Sequence, residues 1–374
     1  MDTMGAEKED TMSRFPHAAG IALLCIALAA GAFGGCQVNP SDGVTGVDGL
    51  YMTDTFSGKV YRYNPGTHTT STTSIVTTTQ DATGAISFSK GVGYIAVGSG
   101  GSTDPGVYCF NPSDTFPQAV RIGGTDRSAQ YIAFFSPTKA YVTVADYSGA
   151  ASEQGVYLFD PANPGAGLSS SPLSGTNAAN LYLQQIVVGP DNMIYVANNS
   201  ALGGTDEVLQ IDPSTDTLTG VVLTTSAAGT TALAAGSYGG KDGVFVGNIT
   251  YADTGSIDFI DTTAIPSPTI VSVLADIDVS RLFYLSTGHL VTTSYTNSYL
   301  VSGLASTTPV ASELGTDLGG AALAARDGLM YIGWTDYSTS RLYVFDATGA
   351  EESFSPVSVM GSGECVAGLA FYED

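Results

Sequence analysis

From Gly49 onward the chain reads as short apolar runs of four to seven residues broken by Gly, Asp, Asn, Ser and Pro. Nothing in it carries a sustained helical period, and the abundance of Val, Thr, Ile, Tyr and Phe in the runs predicts strands. The runs also repeat. A strand that ends on Asn or Asp, usually followed by Pro, occurs as Val60 to Pro65, Val107 to Pro112, Val156 to Pro161 and Val208 to Pro213, and in weaker form as Ile257 to Thr262 and Leu342 to Ala347. The closing residues Asn64, Asn111, Asp160, Asp212 and Asp261 stand 47, 49, 52 and 49 residues apart, and Asp346 follows after 85, which leaves room for one degenerate copy. The count is therefore seven units.

A second motif precedes each of these strands: an apolar run, a tight turn and another apolar run. Ala85 to Phe88 stands before Gly93 to Val97, Tyr131 to Phe134 before Ala140 to Val144, and Gln185 to Val188 before Met193 to Ala197. Turns such as Gly189-Pro190-Asp191-Asn192 and Ala325-Arg326-Asp327-Gly328 carry the residues that hairpins require. The degenerate sixth unit reads as Leu282 to Leu285, His289 to Thr293, Ser298 to Val301 and Pro309 to Ser312. Four strands in about 40 to 53 residues is the size of a propeller blade.

One such blade exposes two apolar faces, whereas blades set radially cover each other. The expected fold is all-β, a seven-bladed β-propeller of four-stranded blades over residues 49–374. Blade 1 has Leu50 to Thr53, Lys59 to Tyr63 and an outer strand in the Thr-rich stretch 69–79, but no innermost strand ahead of Gly49. The C-terminal run Val366-Ala367-Gly368-Leu369-Ala370-Phe371 has the missing pattern and is expected to close the ring there, so that 366–371 is the innermost strand of blade 1. A two-domain β-sandwich and counts of six or eight blades stay open. The arrangement resembles the bacterial YVTN-type (YncE-like) seven-bladed propellers and, more loosely, the NHL and SMP-30-like families. That resemblance covers residues 49–374 and is one of repeat shape, so it implies a fold rather than an activity.

Composition narrows the function classes. The 374 residues hold 35 Asp plus Glu against 12 Lys plus Arg, a formal charge of −23, with 43% hydrophobic and 13% charged residues. The hydrophobic content is that of a folded chain, and the absence of a basic stripe argues against nucleic acid as a partner. The few basic residues include Arg121, Arg127, Arg281, Arg326 and Arg341.

In a propeller the loops between second and third strands share one face. Here they carry Asp54 and Phe56 in blade 1, Asp104 in blade 2, Asp146, Tyr147 and Glu153 in blade 3, Asp206 and Glu207 in blade 4, Tyr251 and Asp253 in blade 5, and Asp336 and Tyr337 in blade 7, with Tyr295 nearby. One reading is solvated loops in an acidic protein. The sharper reading is an acidic, aromatic face that recognises a protein, a glycan or a cationic ligand, with calcium as the divalent cation such a rim could take. No strict calcium-loop spacing is present. Catalytic residues are not identified: beyond His17 only His68 and His289 remain, too few for a zinc centre, and no Gly-x-Ser-x-Gly elbow occurs. The alternatives carried forward are a metal-dependent hydrolase or lactonase of propeller type, and an accessory subunit of an outer-membrane complex.

The N-terminus reads as an address. Ala18 to Phe33 is a 16-residue apolar run, shorter than the ~20 residues that span a bilayer, and fits a cleaved export signal over residues 1–35. Asp2, Glu7, Glu9 and Asp10 outweigh Lys8 ahead of it, a mismatch that translation from Met12 removes, since Met12-Ser13-Arg14 then precedes the run. The run ends in Gly34-Gly35-Cys36, which resembles a lipobox, although Phe33 stands where Leu is usual. The resemblance implies acylation of Cys36, a linker over 36–48 and a lipid-anchored protein of the cell envelope; Gln37 after the Cys implies the outer membrane. The expected partners are the membrane through that anchor and an envelope protein or surface ligand. Of the other cysteines Cys25 lies in the signal, and Cys109 and Cys365 are either one disulfide or two buried thiols. Cys36→Ser is expected to leave an unlipidated precursor and to release or mislocalise the protein. Mass spectrometry finding an unmodified mature N-terminus elsewhere in the envelope-derived protein would overturn the lipid anchor.

Overall fold

A computed structural model describes residues 48–372, except 72–73, 75, 79–82, 99–103, 115–116, 124–125, 146–153, 177–180, 200–205, 253 and 265–267. The signal segment and Cys36 lie outside the described residues. The described chain forms seven antiparallel sheets in sequence order. Blade 2 runs outward from Thr83–Ser89 through Val92–Val97 and Gly106–Phe110 to Val120–Arg121. Blade 3 has Ala129–Ser136, Lys139–Val144 and Gly155–Phe159, and blade 4 has Leu183–Val188, Ile194–Asn198, Glu207–Asp212 and Thr217–Thr224. Blade 5 comprises Thr230–Tyr238, Lys241–Asn248, Ser256–Asp261 and Thr269–Ala275; blade 6 comprises Arg281–Tyr284, Leu290–Thr293, Ser298–Ser302 and Val310–Glu313. Blade 7 consists of Ala322–Arg326, Leu329–Thr335, Ser340–Asp346 and Val357–Ser358.

Two blades depart from four regular strands. The outer edge of blade 3 is irregular backbone, in which the Ser169 N–H donates to the Leu158 carbonyl (2.7 Å) and Leu173 N–H to Val156 (2.8 Å). The Thr-rich outer edge of blade 1 is two short pieces, Thr69–Thr70 and Val76–Thr77, both paired with Lys59–Asn64.

The recurring Asn or Asp has a local cause. In six blades its Oδ1 accepts the backbone N–H two residues on: Asn64 from Gly66 (2.9 Å), Asn111 from Ser113 (3.0 Å), Asp160 from Ala162 (2.9 Å), Asp212 from Ser214 (2.8 Å), Asp261 from Thr263 (3.0 Å) and Asp346 from Thr348 (2.8 Å). Each is an Asx turn that reverses the third strand into the outer edge. Blade 6, the degenerate unit, turns instead at Gly303 with φ +73°, where a Cβ would lie 2.2 Å from the Thr308 carbonyl oxygen.

The second strands are buried on both faces, so neighbouring residues point into different seams. Leu50 and Met52 pack between blades 7 and 1, while Tyr51 between them packs against blade 2. Likewise Ile95 and Val97 face blade 1, and Tyr94 and Ala96 face blade 3. Seven hydrophobic clusters result, one at each seam of the ring.

Closure is by the C-terminal strand. Val366–Phe371 lies antiparallel to Leu50–Asp54, with Leu50 opposite Phe371, Met52 opposite Leu369 and a bulge at Asp54. Val366, Leu369 and Phe371 are buried against blade 7. Side chains reinforce the seam: the buried Asp54 carboxylate accepts the Cys365 N–H at 2.6 Å, and Glu364 receives the Lys59 ammonium (2.5 Å) and the Tyr61 hydroxyl (2.7 Å). Burial raises the Glu364 proton affinity, but hydrogen bonds from Lys59, Tyr61 and the Gly361 N–H outweigh it and hold the carboxyl below its ordinary value. Cys109 and Cys365 are both buried free thiols. Because each large side chain at the seam contributes roughly 1.5–3 kcal/mol on full burial, deleting everything after Cys365 is expected to lower the midpoint of the whole cooperative unfolding transition. A truncated protein melting within about one degree of the full-length chain would overturn this closure.

Candidate functional site

The innermost strands surround a central cavity of about 730 Å³. Each innermost strand starts at the end of the ring where the loops between second and third strands emerge, because the intervening hairpin lies at the other end. That upper mouth is where the expected contact loops stand.

Four aromatic side chains there are largely exposed: Phe56 (50%), Tyr251 (58%), Tyr295 (69%) and Tyr337 (72%). The other exposed large hydrophobics among the described residues, Val120, Val271 and Val310, all sit on outermost strands. The rings belong to blades 1, 5, 6 and 7, consecutive around the ring, and associate in pairs. Tyr251 and Tyr295 stack with centroids 5.6 Å apart at 21°, and Phe56 and Tyr337 meet at 6.4 Å and 39°. Phe56, Tyr295 and Tyr337 also line the cavity. The arc thus continues into the channel.

Tyr251 and Tyr337 occupy the left-handed backbone region, with φ of +59° and +67°. For a bulky residue this costs of order 1 kcal/mol or more, and at Tyr337 a loop carboxylate helps to hold it. Asp336 accepts the N–H groups of Ser338 (2.8 Å) and Thr339 (2.7 Å) and the Ser338 hydroxyl (2.7 Å), so its turn closes around Tyr337. The Ser338 hydroxyl first, then the two N–H groups, keep the Asp336 pKa far below the usual aspartate value. The Asp54 carboxylate likewise closes the turn that carries Phe56, accepting the Ser57 N–H at 2.8 Å as well as the Ser57 hydroxyl.

Among the described acidic positions, Asp104 and Asp206 are also engaged. Asp104 pairs with Arg121 at 2.6 Å and accepts the Tyr108 hydroxyl at 3.1 Å. Asp206 accepts the Gly229 N–H at 2.7 Å, and Glu207 opens the third strand of blade 4 opposite Asn198 and Thr224. Asp146, Tyr147, Glu153 and Asp253 lie outside the described residues. No group of three or more His, Cys, Asp or Glu among the described residues is placed to hold a metal ion. The arrangement offers flat apolar faces more than free carboxylates.

The channel wall holds residues that the loop-based reading did not select. Arg281 and Tyr131 both line the cavity, and the guanidinium carbon lies 5.8 Å from the Tyr131 ring centroid. Gln130 and Gln185, on the innermost strands of blades 3 and 4, line the same cavity. The scarcity of basic residues is the one sequence signal that singles out Arg281. Arg121 and Arg326 form ion pairs, Arg127 donates to the Ser169 and Ser170 carbonyls, and Arg341 lies over Trp334.

No protein-family profile matches the chain, and no curated protein matches it. Solved structures do. A functionally unknown protein of Desulfotomaculum acetoxidans is 13% identical, with a TM-score of 0.62 over 85% of this chain and 99% of its own. A candidate 6-phosphogluconolactonase of Bacteroides fragilis is 14% identical, with a TM-score of 0.61 over 87% and 98%. A quinoprotein alcohol dehydrogenase-like protein of Bacteroides thetaiotaomicron is 12% identical, with a TM-score of 0.61 over 87% and 79%. These likenesses define the class: the chain is a seven-bladed β-propeller, and at such identities they speak for the fold alone.

The strained backbone at the tips makes a test of what the rings are for. Tyr337→Asn, which relieves the left-handed penalty, is expected to leave the unfolding midpoint unchanged or to raise it, by up to about 1 kcal/mol in stability. A clear fall in the midpoint would show instead that the ring serves the fold.

Proposed function

We propose that this protein is a lipid-anchored binding module of the cell envelope, whose propeller receives a glycan at the upper mouth of its channel. The observation that carries the reading is the arc of four exposed rings on consecutive blades, three of which continue into the cavity. Exposed aromatic faces cost solvation, and at Tyr251 and Tyr337 they cost backbone strain as well; a sugar ring, with one flat C–H face and a rim of hydroxyls, matches such faces and the amides of the cavity wall. The anchor on Cys36 and the outer-membrane address come from the sequence of the N-terminal segment. They would hold the module where envelope and surface glycans are met.

A hydrolase or lactonase reading draws on the candidate lactonases among proteins of this fold. It needs acid–base or metal-ligating side chains converging on the channel. The described wall of the cavity carries no carboxylate and no imidazole, so the binding reading is preferred. The test is a screen of immobilised oligosaccharides with the soluble propeller and with the Tyr295→Ala/Tyr337→Ala variant. Retention by at least one glycan class is expected, with a loss of about tenfold or more in affinity in the variant, as for removal of stacking anchors. Binding unaffected by the double substitution, or no glycan retained, would overturn the reading.

A further inference from the structure

The cavity has an electrostatic character opposite to that of the chain around it. In a protein with a formal charge of −23, the described residues lining the channel include no Asp or Glu and one charged side chain, Arg281. Arg281 opens the innermost strand of blade 6 and stands opposite Thr293, the last residue before the loop that carries Tyr295. Tyr131 stands opposite Thr143, next to the last residue of the second strand of blade 3. Both are therefore at the upper end, and blades 3 and 6 face each other across the ring, so the Arg281 side chain reaches over the channel.

The guanidinium has no carboxylate partner among the described residues. It lies half-buried near the Tyr131 ring and donates one hydrogen bond, to the Ser280 carbonyl at 2.7 Å. The rest of its N–H fork has no hydrogen-bond partner among the described residues. Neighbouring amides are oriented by the backbone. Gln185 accepts the Leu233 N–H through Oε1 at 3.1 Å, which turns its NH₂ group away from that bond as a further donor in the wall. Gln130 donates its Nε2 to the Ser128 hydroxyl (3.0 Å) and the Ala145 carbonyl (3.2 Å), which turns its oxygen the other way, as an acceptor. An arginine fork with no carboxylate partner among the described residues, in the same cavity wall as an amide donor, suits a planar oxyanion, bound through two parallel N–H···O contacts. The acidic exterior does not oppose this strongly, since at physiological ionic strength charges are screened over roughly 8 Å.

The geometry points to a carboxylate-bearing sugar, a uronate unit of an acidic glycan, as the ligand, with its carboxylate on Arg281 and its chain stacked on the aromatic arc. This rests on the glycan-binding reading and names the class of glycan. A sulfated or phosphorylated sugar shares the oxyanion; the planar carboxylate is favoured because it matches the planar fork. An acidic peptide would supply carboxylates but not the stacked rings that the arc offers a place for.

The test is calorimetric titration of the soluble propeller with tetragalacturonate, its full methyl ester, tetraglutamate, inorganic phosphate and sulfate. It is run on the native protein, Arg281→Gln, Arg281→Lys and Tyr295→Ala/Tyr337→Ala, with a melting scan of each. Tetragalacturonate is expected to bind about tenfold or more tightly than its methyl ester, as for a hydrogen bond to a charged group. Arg281→Gln should abolish that preference and Arg281→Lys should keep part of it, while the aromatic double variant weakens acid and ester alike. If Arg281→Gln fails to fold, the Lys variant and the acid-to-ester ratio of the native protein still decide. Equal binding of acid and ester, or a preference that survives Arg281→Gln, would overturn the uronate site yet leave the glycan reading standing, because the ester is still bound. Binding of tetraglutamate, phosphate or sulfate in preference to tetragalacturonate would also overturn it, and failure of both acid and ester to bind would overturn both readings.

Discussion

Every blade of this protein is apolar on both faces, and that single constraint dictates the rest of the architecture. A sheet with Tyr51 on one side and Leu50 and Met52 on the other cannot be covered by one partner. It needs a neighbour on each face, every neighbour has the same need, and only a closed ring satisfies all of them without leaving an apolar face in water. The chain runs from each blade into the next, from blade 7 into the innermost strand of blade 1 included, and the ring is locked where its two ends pair inside blade 1. There the hydrogen bonds of Asp54, Thr55 and Glu364 are concentrated around Cys365 and the strand that follows it.

A ring held at seven seams leaves the rings at the tips of its upper loops free to face solvent, while polar residues at the loop bases such as Asp54 and Thr55 also serve the closure. Among the described residues the loop carboxylates serve the fold: Asp54 and Asp336 close the turns that present Phe56 and Tyr337, and Asp206 fixes the connection into blade 5. The result is a division of labour in which short carboxylates shape the loops and large rings meet the solvent. Left-handed backbone at Tyr251 and Tyr337 is the same economy seen locally, since a Gly or Asn would sit there with less strain but present no ring.

The surface and the channel differ as sharply in charge. Solubility and mutual repulsion follow from the acidic exterior, whereas the described cavity wall is neutral except for Arg281. A lone guanidinium in such a wall is felt more strongly than one on the surface, where water and counterions weaken it. The chemistry of the mouth is thus set by stacking faces above and one cation below.

The sequence by itself determined the blade count, the strand order and the closing strand, because those depend on hydrogen bonds and burial that recur at a fixed spacing. The Asx turns at Asn64, Asn111, Asp160, Asp212, Asp261 and Asp346 are local two-residue contacts, and their spacing alone reveals the repeat. Blade 6, where glycine replaces the carboxylate, was legible only through the gap it left. The loop face was legible as a place, since Phe56, Asp54, Asp336 and Tyr337 do stand at one mouth, but the sequence does not say whether an Asp there binds a partner or its own turn. Only the tertiary structure decided that Tyr251 stacks on Tyr295, that Phe56 meets Tyr337, and that Arg281 reaches Tyr131 from 150 residues away. Those contacts run between blades and across the channel. They are set by the radius of the ring and the rotation from one blade to the next, quantities that no period along the chain records.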